Sequence, residues 1–237
     1  MEKILVCTPT YNEVKNIKKF CKKIFKIKYP IDLLIIDDNS PDGTGEIAKK
    51  LKKKNKNLIL IERKGKLGIG SALRLGLKYA HDKNYDAIIT LDADLSHQPE
   101  EIPKFIDKFK KNNYDFIIGS RYMDGGISDY KGFRNIVSRF GNILCKIILN
   151  MPFNEFTTSF RLYNRNCIKI LNNSSLKSND YSSQIELFFY VYQSNLKCIE
   201  IPIHFKDRFK GKSKIPKFQI IYGLIKLLNL FLKKLFK

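Results

Sequence analysis

Short apolar runs at residues 4–7, 33–36, 58–61, 87–91 and 116–118 punctuate the first half of the chain, and the stretches between them carry apolar residues at helical spacing. The runs are rich in Ile and Leu and do not alternate with polar residues, which predicts strands buried on both faces. The intervening segments, 12–26, 43–54, 70–81 and 99–111, predict the helices that cover them. Strand and helix in alternation give an α/β domain with a mostly parallel sheet and helices on both faces. Beyond residue 120 the rhythm loosens. A Gly125-Gly126 turn, a helix over 135–150, a strand over 159–163, a helix over 182–193 and a strand over 197–205 follow without an internal repeat or a low-complexity linker. This half is therefore expected to extend the same domain across one rim of the sheet, with 205–215 as a mobile basic loop. Residues 216–237 predict an amphipathic helix. Gln219, Lys226, Asn229, Lys233 and Lys237 share one face; Ile220, Ile221, Leu224, Ile225, Leu228, Phe231, Leu232 and Leu235 fill the rest.

In a sheet covered on both faces the ligand sits beyond the carboxyl ends of the strands. The residues that follow the apolar runs are small and acidic: Thr8-Pro9-Thr10-Tyr11-Asn12-Glu13, Asp37-Asp38-Asn39-Ser40, Asp92-Ala93-Asp94 and Gly119-Ser120-Arg121-Tyr122. Asp92 and Asp94 lie on one side of an extended chain, separated by a residue small enough for a ligand to approach. Such a pair suits Mg²⁺ or Mn²⁺, which takes one or two carboxylates and completes its shell with phosphate oxygens and water. A cation bridging phosphates implies a nucleoside diphosphate. Asp37 and Glu13 are placed to accept from its base or ribose, and Tyr11 or Pro9 offers an apolar wall. Guanidinium groups bind phosphate bidentately, so Arg121, Arg134 with Ser138 one turn on, and Arg208 with Lys214 are candidate phosphate clamps. Arg139, Arg161 and Arg165 are read as partners of surface carboxylates, and His97 and His204 as structural. Gly65, Gly68, Gly70 and Gly76 lack the register of a nucleotide loop. They leave a packing role and a ligand role equally open.

With 43% hydrophobic residues in 237, the chain can build a substantial core. Its net charge of +21 brings a polyanionic partner into consideration, but it is carried mostly by lysines scattered over helix-like stretches, which reads as solvated faces more than as a nucleic-acid code. A nucleic-acid-binding protein would also leave Asp92-Ala93-Asp94 without a purpose. Five cysteines with no C-x-x-C pair argue against a disulfide framework and a zinc site, and favour a reducing cytoplasm. No segment reaches 18 uncharged apolar residues, so no standard transmembrane helix is expected. The helix at 216–237 suits instead a peripheral position at an anionic membrane surface, with packing on its own domain or on a partner membrane protein as the alternative.

PTYNE at 9–13, IIDDNSPDGT at 35–44, KLGIGSA at 66–72, LDADLSHQPE at 91–100, GSRY at 119–122, SFRLY at 159–163 and IPIHFKDRFKGKSK at 201–214 together resemble glycosyltransferase family 2, and within it the dolichol-phosphate mannosyltransferases. The resemblance implies a glycosyltransferase A-type, Rossmann-like catalytic domain over 1–215. It implies an inverting transfer of mannose from GDP-mannose to a polyprenyl or dolichyl phosphate, dependent on Mg²⁺ or Mn²⁺. Pro9, Tyr11, Glu13, Ile35 and Asp37 would hold the nucleotide, and Asp92, Ala93 and Asp94 the donor and metal. Arg121, Arg208 and Lys214 would meet the donor phosphates, with Arg134 and Ser138 near the lipid phosphate. Ser96 stands where some relatives have a metal-binding Gln, and Glu155 and Thr158 stand where relatives commonly show Asp and Gly. A neighbouring reading is another transferase of the same family that uses UDP-glucose on polyprenyl phosphate or a glycan.

Overall fold

The computed structural model describes residues 2–208 and 219–235. In chain order it contains β1 (Ile4–Thr10), α1 (Ile17–Ile24), β2 (Ile31–Asp37), α2 (Thr44–Lys52), β3 (Leu58–Glu62), α3 (Ile69–Asp82), β4 (Ala87–Thr90), α4 (Ile102–Asn112) and β5 (Phe116–Ser120). The second half adds β6 (Ile127–Ser128), α5 (Gly132–Leu149), β7 (Arg161–Asn164), α6 (Arg165–Asn173), α7 (Ser183–Gln193), β8 (Cys198–Pro202), β9 (His204–Phe205) and α8 (Gln219–Leu235). Among the described residues seven strands form one sheet in the order β3-β2-β1-β4-β7-β5-β8, and β6 pairs with β9 in a small second one. β7 is antiparallel to both β4 and β5, whereas the other pairings in the large sheet are parallel.

The absence of polar alternation now has its cause. Leu5, Cys7, Leu34 and Ile36 face a core built with α3, α5, α6, α7 and α8, while Val6, Leu33 and Ile35 face a second core built with α1, α2 and α4. Both faces of each central strand are buried, so the runs 4–7, 33–36 and 87–89 are apolar throughout. All five cysteines are free thiols, and burial pushes Cys7, Cys21, Cys145 and Cys198 up to about 12. They are inert packing groups.

Several predicted boundaries move, each for a local reason. The helix expected from residue 12 starts at Ile17, because the backbone N–H groups of Asn12, Glu13 and Val14 donate to Ser40, Thr44 and Asp42 across the rim. The strand expected over 197–205 breaks at Ile203, and β9 turns aside to pair with β6. α6 went unpredicted. Its signal is the Asn164 N-cap, whose side chain accepts from the Cys167 N–H at 3.0 Å. On α8, the polar positions Lys226 and Lys233 both meet α7, Lys226 through Glu186 and Lys233 through the Tyr190 hydroxyl, and Leu227 and Leu230 are buried beside them. The helix therefore docks on α5 and α7 along a narrow strip and turns Tyr222, Leu224, Ile225, Leu228, Leu232 and Leu235 outward. Lys214 and most of the segment 205–215 lie outside the described residues.

Candidate active site

The chain leaves β1 toward β2 and leaves β4 toward β5, in opposite directions along the sheet, which opens a crevice at the carboxyl ends of these neighbouring strands. Asp37 ends β2 on one wall of it. The Asp37 carboxylate, nearly fully buried, accepts from the Thr10 hydroxyl at 2.7 Å and from the Ser40 hydroxyl and N–H at 2.7 and 2.9 Å. Glu13 is buried beside it and accepts from the Asn16 side chain at 2.6 Å. Tyr11 is half-buried with the Lys66 ammonium 4.7 Å from its ring centroid, and Pro9 is half-buried one register step below Thr10. Ile35 is different. Its side chain is fully buried in the core shared with α1, so it supports the floor of the crevice and does not line it.

Asp92-Ala93-Asp94 follows β4. The Asp92 carboxylate accepts from the Ser159 hydroxyl at 2.7 Å, and Asp94 accepts from the Ser96 N–H at 2.9 Å. Leu95, between Asp94 and Ser96, adopts a left-handed φ of 67°, which folds the chain back so that this bond can form. That conformation costs a non-glycine residue roughly 1–2 kcal/mol. His97 is buried and kept neutral, since burial lowers it to about 4. Its Nδ1 accepts from the Asp92 N–H at 3.3 Å, which puts the ring proton on Nε2, 3.0 Å from the Thr158 hydroxyl. The imidazole thus props the acidic pair from behind, as a structural histidine should.

Arg208 reaches over this pair, with Nη2 2.9 Å from Asp94 Oδ2 and Nη1 3.6 Å from Glu13 Oε1. The structure thereby brings Arg208, Asp94 and Glu13 together from three distant parts of the sequence. Arg121, another candidate clamp, is held from within the fold and donates to the Thr157 hydroxyl at 2.8 Å. Its guanidinium is buried and committed to Glu155 by two bonds, at 2.7 and 2.9 Å. Arg134 and Ser138 stand on the first half of α5 beside this pair: Arg134 donates to the Tyr130 hydroxyl at 2.6 Å, and Ser138 accepts from the Tyr122 hydroxyl at 2.7 Å. Arg165 pairs with Asp86 at the surface, whereas Arg161 is not a surface partner at all. It is fully buried and donates to the carbonyls of Phe156 and Gln184.

Burial and the charge of Asp94 both push the Asp92 carboxyl above the usual range. A hard divalent cation would relieve that repulsion, and two carboxylates with space for phosphate oxygens are the donor set such a cation takes. Among the described residues no group of three or more His, Cys, Asp or Glu side chains is arranged to hold a metal ion. Some supporting roles escaped the sequence reading because they act through contacts distant in the chain. Ser159 and Thr158 steady Asp92 and His97, and Asp38 fixes the loop before α3 by accepting from Arg63 and from the Leu67 N–H.

Residues 5–171 match the sequence pattern of Glycosyl transferase family 2. The chain is 28% identical over 214 residues to the undecaprenyl-phosphate mannosyltransferase of Micrococcus luteus, covering 90% of this chain and 87% of the relative. It is 30% identical over 216 residues to the polyprenol monophosphomannose synthase of Mycolicibacterium smegmatis, covering 90% of this chain and 81% of that one. Among solved structures it is similar to a mannosyltransferase from Pyrobaculum calidifontis in complex with GDP-Man and Mn²⁺, with a TM-score of 0.59 at 15% identity over 95% of this chain and 69% of the other. At that identity the likeness speaks to the fold.

Proposed function

The chain belongs to glycosyl transferase family 2, and from that membership we propose that it transfers mannose from GDP-mannose to a polyprenyl or dolichyl phosphate, with inversion and release of GDP. The observation that carries this reading is the acidic pair Asp92 and Asp94 under Arg208, at the mouth of a crevice flanked by an exposed apolar helix face. The names of the relatives, an undecaprenyl-phosphate mannosyltransferase and a polyprenol monophosphomannose synthase, support the acceptor class.

In this reading Asp37 and Glu13 accept from the nucleoside, with Tyr11 and Pro9 as its wall. Asp92 and Asp94 would hold Mg²⁺ or Mn²⁺, which supplies neutralisation of the negative charge that develops on the departing diphosphate. Arg208, already at the edge of that site, adds a second positive charge, and Lys214 is proposed beside it. The acceptor phosphate is largely dianionic at neutral pH, because its second pKa lies near 6. It attacks the anomeric carbon without needing a strong base. The protein's task is to align it, and Arg134 and Ser138 are proposed to do so from α5. The test is radiolabelled transfer to a short polyprenyl phosphate from GDP-mannose and from UDP-glucose, with and without Mn²⁺. Metal-dependent labelling from GDP-mannose is expected; labelling from UDP-glucose alone would move the donor, and labelling from neither would remove the reading.

A lipid acceptor requires contact with a bilayer. No helix of the described residues is long and apolar enough to cross a membrane. Instead, α5 exposes Phe133, Ile136, Phe140, Ile143 and Ile147 at three- and four-residue spacing, and the outward residues of α8 lie alongside. Phe133 is 77% and Ile147 68% exposed, and the five lie in one stripe rather than scattered singly, which marks an interaction or membrane surface. We place this surface at the lipid interface, where the chain's charge of +21 is attracted to an anionic leaflet. Burying one such side chain is worth about 1.5–3 kcal/mol. Phe140→Asp is therefore expected to weaken partition onto anionic vesicles at least about tenfold, read by co-sedimentation. Unchanged partition would dismiss this surface.

A further inference from the structure

The stretch between α6 and α7 belongs to none of the motifs above, yet it stands against the crevice. Gly68 and Gly70 let it come close: a Cβ on Gly68 would lie 2.2 Å from the Asn179 carbonyl oxygen, and one on Gly70 2.3 Å from that of Ser178. The Gly70 N–H donates to the Asn179 carbonyl at 2.9 Å, and Arg74 donates to the Ser178 carbonyl and the Asn179 side chain. The close approach these glycines permit is thus to protein backbone. Their side of the contact is tied in turn to the nucleotide end of the crevice, because Arg63 bonds both Asp38 and the Gly68 carbonyl.

Two residues beyond Asn179, Tyr181 is half-buried, and its hydroxyl has no hydrogen-bond partner among the described residues. Burial and the nearby carboxylates of Asp92, Asp94 and Glu13, partly offset by Arg208, hold the phenol well above its ordinary pKa. It stays a hydrogen-bond donor throughout the neutral range. Gln184, in the first turn of α7, is 1% exposed and has neither amide atom partnered among the described residues. A buried amide left unpaired is costly, and a ligand is one way to satisfy it.

From behind, Glu186 holds the stretch in place. One carboxylate oxygen accepts from the Ser178 and Lys177 N–H groups at 2.9 and 3.2 Å, and the other bonds the Lys226 ammonium of α8 at 2.9 Å. Burial pushes this carboxyl up, but those donors outweigh it and hold it below its ordinary range.

We propose that residues 177–184 form a wall of the donor site, in which Tyr181 donates its O–H to an oxygen of the bound nucleoside diphosphate, and that Glu186 and Lys226 are the positioning residues that make α8 part of donor binding. The proposal rests on the glycosyl-transfer reading. Wild-type titration with GDP and with UDP in the presence of Mn²⁺ tests that reading, and the variants test the wall. A hydrogen bond to a charged group is worth roughly 1.5–3 kcal/mol, so Tyr181→Phe is expected to weaken diphosphate binding about tenfold or more. Lys226→Met should weaken it by a similar factor, and Lys226→Arg, which keeps the ion pair, should restore it. A merely structural role for Lys226 would lower the melting temperature without moving the dissociation constant. If wild type prefers UDP, the donor assignment falls and the same ratios are read with UDP. Unchanged binding in Tyr181→Phe overturns the wall, and binding of neither nucleotide by wild type overturns it together with the reading beneath it.

Discussion

Asp94→Ala is expected to lower sugar transfer about a thousandfold or more, and Asp94→Asn nearly as far. Loss of one preorganised group that stabilises transition-state charge costs about 10²–10³ in rate, and here the metal site would be lost with it. The asparagine variant separates charge from shape. It keeps an oxygen for the Ser96 N–H, which holds the turn at Leu95, but it removes the negative charge that faces Arg208. If the carboxylate served only to hold that turn, Asp94→Asn would retain most of the activity, so survival within tenfold of wild type would defeat the assignment. Arg208→Ala is expected to cost about a hundredfold. Arg208→Lys should cost less, because a point charge remains where the bidentate geometry is lost. The rates should be compared at saturating Mn²⁺, so that weakened metal binding and impaired chemistry are read apart.

The sheet and the rim were legible in the sequence because each rests on a local pattern. Buried strands such as 33–36 are unbroken apolar runs, and the acidic triplet at 92–94 directly follows one. What escaped depends on contacts between distant segments. Nothing near Arg121 announces that its partner is Glu155, 34 positions away. Lys226 sits at helical spacing with other polar residues, so periodicity puts it on one face with them but does not say what that face meets; the packing of α8 on α7 gives it Glu186 as a partner. The exposed stripe on α5 was hidden for the opposite reason. A sequence pattern shows that Phe133, Ile136, Phe140 and Ile147 share a face, but not whether anything covers it.

Arg121→Met is expected to destabilise the fold by about 3–5 kcal/mol, the penalty for leaving one member of a buried ion pair unpartnered. That is a large part of the ~5–15 kcal/mol that keeps a domain folded. Glu155 is fully buried, and besides Arg121 its Oε1 accepts from the Thr157 hydroxyl at 2.9 Å and from the Thr157 and Thr158 N–H groups at 3.0 and 3.2 Å. Thr158 in turn meets His97, and Ser159 meets Asp92, so the pair underlies the floor of the site. Arg121→Met with Glu155→Leu should recover much of the loss, since no charge is left buried. The pH dependence gives a second reading. Burial alone would raise Glu155, but the charge and hydrogen bonds of Arg121 outweigh it and hold the carboxyl below its ordinary value. Its stabilisation is therefore fully present above the unfolded value near 4.3 and fades as pH falls through the lower folded one. Without Arg121, burial acts unopposed and the carboxyl rises; protonation then relieves the variant as pH falls. The gap between wild type and Arg121→Met in urea unfolding should thus be wide at pH 7 and narrow toward pH 4. A gap of equal width at both values, or a variant that stays stable yet fails to bind GDP, would return Arg121 to the donor phosphates.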